Sequence, residues 1–180
     1  ARRNERQQKV VSLADCTPNI LEAIPIFWRS TSKILLQTSP LLDIEHTVRL
    51  LGNVREVHVV GLDTECKELL FVLENTPDPI PTPVRKVRVL HADGSSHFAF
   101  DFTLDEECEG VELSAPKRYL YEPHAAFLKS GAYNALGRRW GVSKLAVRSH
   151  LYTSSQFCAH FPGRAFEVVE VCKPDAKTLH

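Results

Sequence analysis

YLYEPHAAFLKSGAYNALGRRWG, residues 119–141, decides how the C-terminal part of this chain is read. Pro123 suits a first helical turn, Gly141 suits a C-terminal cap, and Arg138 and Arg139 lie where a helix dipole favours cations. Leu128, Ala132, Leu136 and Trp140 recur at every fourth position and make one apolar face. The spacing predicts one amphipathic helix with an aromatic lead-in, mostly built to fill a core. After it, HLYTSSQFCAHF predicts a cap at Ser154 or Ser155, then a Pro162-Gly163 turn and a strand in AFEVVEV.

Working outward, charge is the first asymmetry. Lys+Arg and Asp+Glu each number 22, so the net charge is zero and composition gives no argument for nucleic acid or a membrane. The distribution is uneven. Residues 117–148 hold Lys117, Arg118, Lys129, Arg138, Arg139, Lys144 and Arg148 against the single acid Glu122, whereas 101–112 hold six acids and no base. Cys16, Cys66, Cys108, Cys158 and Cys172 are scattered, as expected of reduced thiols in a cytoplasmic protein. No apolar run approaches the roughly 20 residues of a membrane helix.

Upstream, Thr17 and Pro18 suit the N-cap and first position of a helix over 19–31. KILLQTS (33–39) reads as a strand buried on both faces, and SPLLDIEHTVRLLGN as a helix with Pro40 near its start and Gly52 near its end. VREVHVVGLD and CKELLFVLE predict an antiparallel pair around Asp63-Thr64-Glu65. Pro77, Pro79, Pro81 and Pro83 alternate, which forbids helix and predicts a stiff spacer. A hairpin about Asp93-Gly94 follows, with Phe98, Phe100 and Phe102 on one side, then an acidic connection. The domain reading is therefore 1–75, a linker at 76–84, and 85–180.

No GxGxxG or GxxxxGKS run, zinc spacing or local catalytic triad is present, so no metal ligands or acid–base catalyst are assigned. Asp15, Glu65 and Lys67 form a polar cluster if their loops converge, and are plain surface charge otherwise. The Glu65–Glu68 run is either an ion-paired turn or part of a substrate-facing rim.

Three separated segments carry a resemblance. YEPHAAFLKSG, SHLYTS and FPGRAFEV stand in the order and spacing of the THUMP-like domain attached to Bacteroidetes-type class I S-adenosylmethionine (SAM)-dependent methyltransferases. ARRNERQQKVVSLADCTPN resembles the continuation of that family's Asp-Pro-Ala-Arg-Arg motif, and SPLLDI and ECKELL resemble further segments. The resemblance implies an α/β fold, the closing half of a Rossmann-like methyltransferase sheet, followed by a small α+β THUMP-like domain. It implies a chain truncated at both ends, a fragment whose SAM site lies upstream of Ala1, with no cofactor bound to this chain and no turnover by it alone. The absence of any methionine also suggests an excised piece.

Arg2, Arg3, Asp15 and Ser39 are then candidates to line the pocket; the alternative is a solvated terminus for Arg2 and Arg3, surface charge for Asp15 and a simple strand-to-helix turn for Ser39. The seven basic residues of 117–148, beside Tyr119 and Tyr121, are candidates for RNA contact, transfer RNA included; the alternative is a solvated face balanced by the acidic segment. The expected function is RNA methylation by the parent enzyme. The alternative is a non-catalytic RNA-binding or assembly module, and a protein or small-molecule acceptor is a third possibility.

Overall fold

The structure, a computed structural model, describes residues 13, 18–78 and 82–172. Helix α1 (Ile20–Phe27) leads into β1 (Lys33–Thr38), α2 (Ile44–Leu51), β2 (Val54–Leu62) and β3 (Glu65–Glu74). Strands β4 (Val84–Leu90) and β5 (Ser96–Phe102) follow the proline-rich segment, then the short helix α3 (Leu104–Cys108). The remainder is β6 (Tyr119–Pro123), α4 (Ala125–Ser130), α5 (Asn134–Trp140), β7 (Ser143–Lys144), β8 (Tyr152–Ser154) and β9 (Gly163–Glu167).

The first sheet has the order β1-β3-β2-β4-β5. Strand β3 is antiparallel to both β1 and β2, and β4 is parallel to β2. So β1, β2 and β4 point the same way. The α2 crossover joins two parallel strands, and the hairpin return of β3 fills the position between them. Alternation sets the buried face: Val57 and Val59 of β2, Leu69 and Phe71 of β3, Val87 and Val89 of β4, and Phe100 and Phe102 of β5. Arg85 shares that face and is buried. Its guanidinium pairs with Glu45 of α2 and donates to the Ser130 carbonyl at 2.5 Å.

The second sheet has the order β7-β8-β6-β9. Helices α4 and α5 join the two sheets through a shared aromatic core. Phe127 of α4 lies 5.7 Å from Phe100 and 5.8 Å from Trp140, ring centre to ring centre.

Several expectations are corrected. Residues 119–141 are not one helix. Tyr119–Pro123 is a strand because it pairs with β8 on one side and β9 on the other. Gly131, at φ 80, ends α4, and α5 begins anew at Asn134. Tyr152–Ser154, expected near a helix cap, is strand β8, and the acidic connection contains α3, capped reciprocally by Thr103 and Glu106. Strand β1 is buried on one face only: it pairs with β3 alone, and Leu35 is 64% exposed. The hairpin of 84–102, grouped by sequence with the C-terminal module, is hydrogen-bonded into the first sheet through β4. Asn19 caps α1, which ends at Phe27; Thr17 lies outside the described residues. Asp43, not Pro40, marks the start of α2.

Candidate functional site at the carboxyl edge of the first sheet

Parallel strands bring their carboxyl ends to one edge, where open α/β sheets bind ligands. Strands β2 and β4 end there at Leu62 and Leu90, tied by the Asp63 amide, which donates to the Leu90 carbonyl at 3.3 Å. Asp63 turns the chain with φ 53, in the left-handed region that Asp tolerates better than most residues.

The second module meets this turn through His124. Its Nδ1 accepts the Ala126 amide at 3.0 Å, capping α4, so Nε2 carries the proton and donates to the Asp63 carbonyl at 2.8 Å. Burial pushes the His124 imidazole below its ordinary pKa, while the Asp63 carbonyl pulls the other way. Both nitrogens are committed, so His124 is a neutral pin rather than a general base. Gly61 permits the approach: a Cβ there would lie 2.5 Å from His124 Cε1. At Gly163 a Cβ would fall 2.1 Å from the Glu122 carbonyl oxygen, which accounts for the glycine of FPGR.

Around this pin lies a cleft of about 430 Å³, lined by Asp63, Thr64, His97, Glu122, His124 and Arg164 among others. Arg164 pairs with Glu122 across β6 and β9. His97 Nδ1 lies 2.9 Å from His91 Nε2, with the ring edge-on to Phe98. The cleft presents a carboxylate, a guanidinium and an imidazole to a polar ligand. Among the described residues, no three His, Cys, Asp or Glu side chains converge as a metal site would require. Burial pushes the nearby Cys66 thiol up to about 11, which keeps it protonated and unreactive near neutral pH.

Of the pocket candidates, Arg2, Arg3 and Asp15 lie outside the described residues. Ser39 does stand at the carboxyl end of β1, but its hydroxyl accepts the Leu41 amide at 3.2 Å in a turn. Thr38 pairs with Leu69 whereas Leu62 pairs with Glu65, so β1 ends four positions short of β2 along β3 and Ser39 is set back from the cleft. Lys67 pairs with Glu65 at the hairpin turn.

The seven basic candidates do not share one face. Lys144 is buried, donating to the Val147 carbonyl at 2.8 Å, and burial holds its ammonium below the usual lysine range. Arg138 donates to the carbonyls of Glu106, Glu109 and Gly110. Arg139 covers the Phe100 ring at 5.0 Å, Lys129 is half-buried, and Arg148 is exposed. Lys117 and Arg118 adjoin each other, as do Arg138 and Arg139, and Arg118 pairs with Glu167 at 3.1 Å. Tyr121 is fully buried, its hydroxyl bonded to Ser154 Oγ and the Cys158 amide, so it cannot stack on a base.

Strands β6–β8 and helices α4 and α5 fall within one recognised unit. Residues 119–162 match a ferredoxin-like domain. Among solved structures, the chain is similar to the crystal structure of a candidate methyltransferase from Porphyromonas gingivalis W83. The TM-score is 0.78 at 33% identity, over 94% of this chain and 42% of that one. The chain thus spans less than half of that protein. No curated protein matches. Among the described residues, no helix is long and apolar enough to cross a membrane.

The sequence singled out none of Asp63, His97, Glu122, His124 and Arg164 as site residues. A signal existed in Pro123-His124, where a proline ends one element and a cap-forming side chain begins the next.

Proposed function

We propose that this chain is the C-terminal portion of a class I SAM-dependent methyltransferase acting on RNA, and that residues 119–172 form a THUMP-like module that holds the substrate. The observation that carries this reading is the likeness to the Porphyromonas protein, 33% identical over 94% of this chain. The common direction of β2 and β4, which brings their carboxyl ends together beside the cleft, supports it. The SAM site would lie in a segment outside this chain.

Bound there, SAM would supply the methyl group to an acceptor nitrogen or oxygen. This chain would contribute position, which carries much of the barrier reduction when reacting atoms are held in line. Glu122 and Arg164 would orient a polar acceptor group at the cleft, His97 would offer it a hydrogen bond, and His124 would keep the second module seated on the sheet.

The test is methyl transfer from radiolabelled SAM to bulk transfer RNA by a polypeptide extended to the length of the Porphyromonas relative. Label in RNA, reduced at least tenfold by Arg164→Ala, is the expected result. Label in protein or small molecules reassigns the acceptor. Salt-sensitive RNA binding without SAM binding identifies a non-catalytic RNA module instead.

A further inference from the structure

A second cleft, about 510 Å³, opens between β7, β8 and the 154–158 loop, away from the carboxyl edge. We propose that it holds one unpaired nucleotide of an RNA strand, with the base against Phe157; this rests on the RNA reading above and gives it a place.

Phe157 lines the cleft and remains 58% exposed, an unusual setting for a large aromatic side chain. It is nevertheless held in place. The Tyr119 ring meets it edge to face at 5.4 Å, and the Arg118 guanidinium lies 5.3 Å from the centre of Tyr119 on its own side. An exposed ring fixed by a second ring is a preset stacking surface, and single-stranded bases are recognised by such surfaces.

The rest of the lining has the matching polarity. Among the described residues, the side chains of Ser155 and Gln156 make no hydrogen bond within the chain. The Gln156 amide offers a donor and an acceptor, which is what a base edge requires. Lys117 Nζ enters the same cleft, 3.2 Å from the buried Ser143 hydroxyl and 4.0 Å from the exposed Glu112 carboxylate. Glu112 is 74% exposed but also accepts the Ser143 hydroxyl at 2.9 Å, so an incoming phosphate would take its place beside Lys117. With Arg118 beside it, Lys117 supplies cationic contact next to the stacking ring. The volume suits a small-molecule-sized group.

The test uses a fluorescein-labelled single-stranded oligoribonucleotide, titrated by anisotropy with the chain over a series of salt concentrations. Phe157→Ala should weaken binding roughly 5- to 100-fold with little change in salt dependence, because stacking is not ionic. Phe157→Trp should restore it, with tryptophan fluorescence quenched on binding. Lys117→Ala should reduce the slope of log affinity against log salt by about 0.7. Circular dichroism of each variant reports folding, which an exposed residue such as Phe157 should not disturb. RNA binding undiminished in folded Phe157→Ala overturns this subsite and leaves the RNA reading standing. No salt-sensitive RNA binding by the unaltered chain overturns both.

Discussion

His124 and Asp63, 61 residues apart, are joined by a 2.8 Å hydrogen bond from the imidazole Nε2 to the backbone carbonyl. The same ring caps α4 through Nδ1, so one side chain both starts a helix and fastens it to the turn of another sheet. His124→Ala should lose both bonds and cost about 1–3 kcal/mol. His124→Asn should recover the cap alone and fall between. Urea denaturation midpoints of the three proteins check the order.

The same bond gives a pH dependence. The folded pKa of His124 lies below its unfolded value of about 6.5, so the unfolded chain binds more protons in that window. The neutral form stabilises the fold above about pH 6.5, and that contribution is lost progressively as pH falls below it. Melting temperature should therefore drop between pH 7.5 and 5.5, and drop less in His124→Asn. Equal slopes in the two proteins would rule out His124 as the source.

Gly61→Ala should force its new methyl into the imidazole, at a cost of about 1–3 kcal/mol. In the double variant with His124→Ala that cost should largely vanish, because the colliding ring is gone. Additive losses would place the strain elsewhere.

Glu107 of α3 accepts the Asn134 amide at 2.7 Å and the Ala135 amide at 2.9 Å, capping α5 from outside that helix. Glu107→Ala should cost about 1–2 kcal/mol and free α3 to limited proteolysis near 103–110. Glu107→Gln, which keeps an acceptor, should lose less.

Among Cys66, Cys108, Cys158 and Cys172, the Cys66 thiol should be the slowest to alkylate at pH 8, since burial raises its pKa to about 11 and leaves little thiolate. Peptide mapping after a timed iodoacetamide pulse reads this directly.

Local periodicity carried much of the first module. The alternation in 54–62 and 65–74 and the Asp93-Gly94 turn located β2, β3 and the β4–β5 hairpin, because strand period and turn chemistry are short-range properties. The partner of each strand was not legible. Nothing near Val84 says that β4 will pair with β2 across a run of prolines, and nothing near Lys33 says that β1 will have one neighbour. Residues 119–141 misled for a related reason. A four-residue apolar repeat persists through Leu128, Ala132, Leu136 and Trp140, yet Gly131 and the pairing of Tyr119–Pro123 outweigh it. The cleft residues were hidden because they come from the β2–β3 turn, β5, β6 with its link to α4, and β9, and only tertiary packing gathers them.

The interlocked rings of Phe100, Phe127 and Trp140 leave little room for a hinge between the two sheets. A strand of RNA gripped at Phe157 would then be presented to the carboxyl edge at a constant offset. On the RNA-methylation reading proposed above, choice of the modified position would be made by a gauge, counting nucleotides from an anchor, instead of by reading the bases around the target.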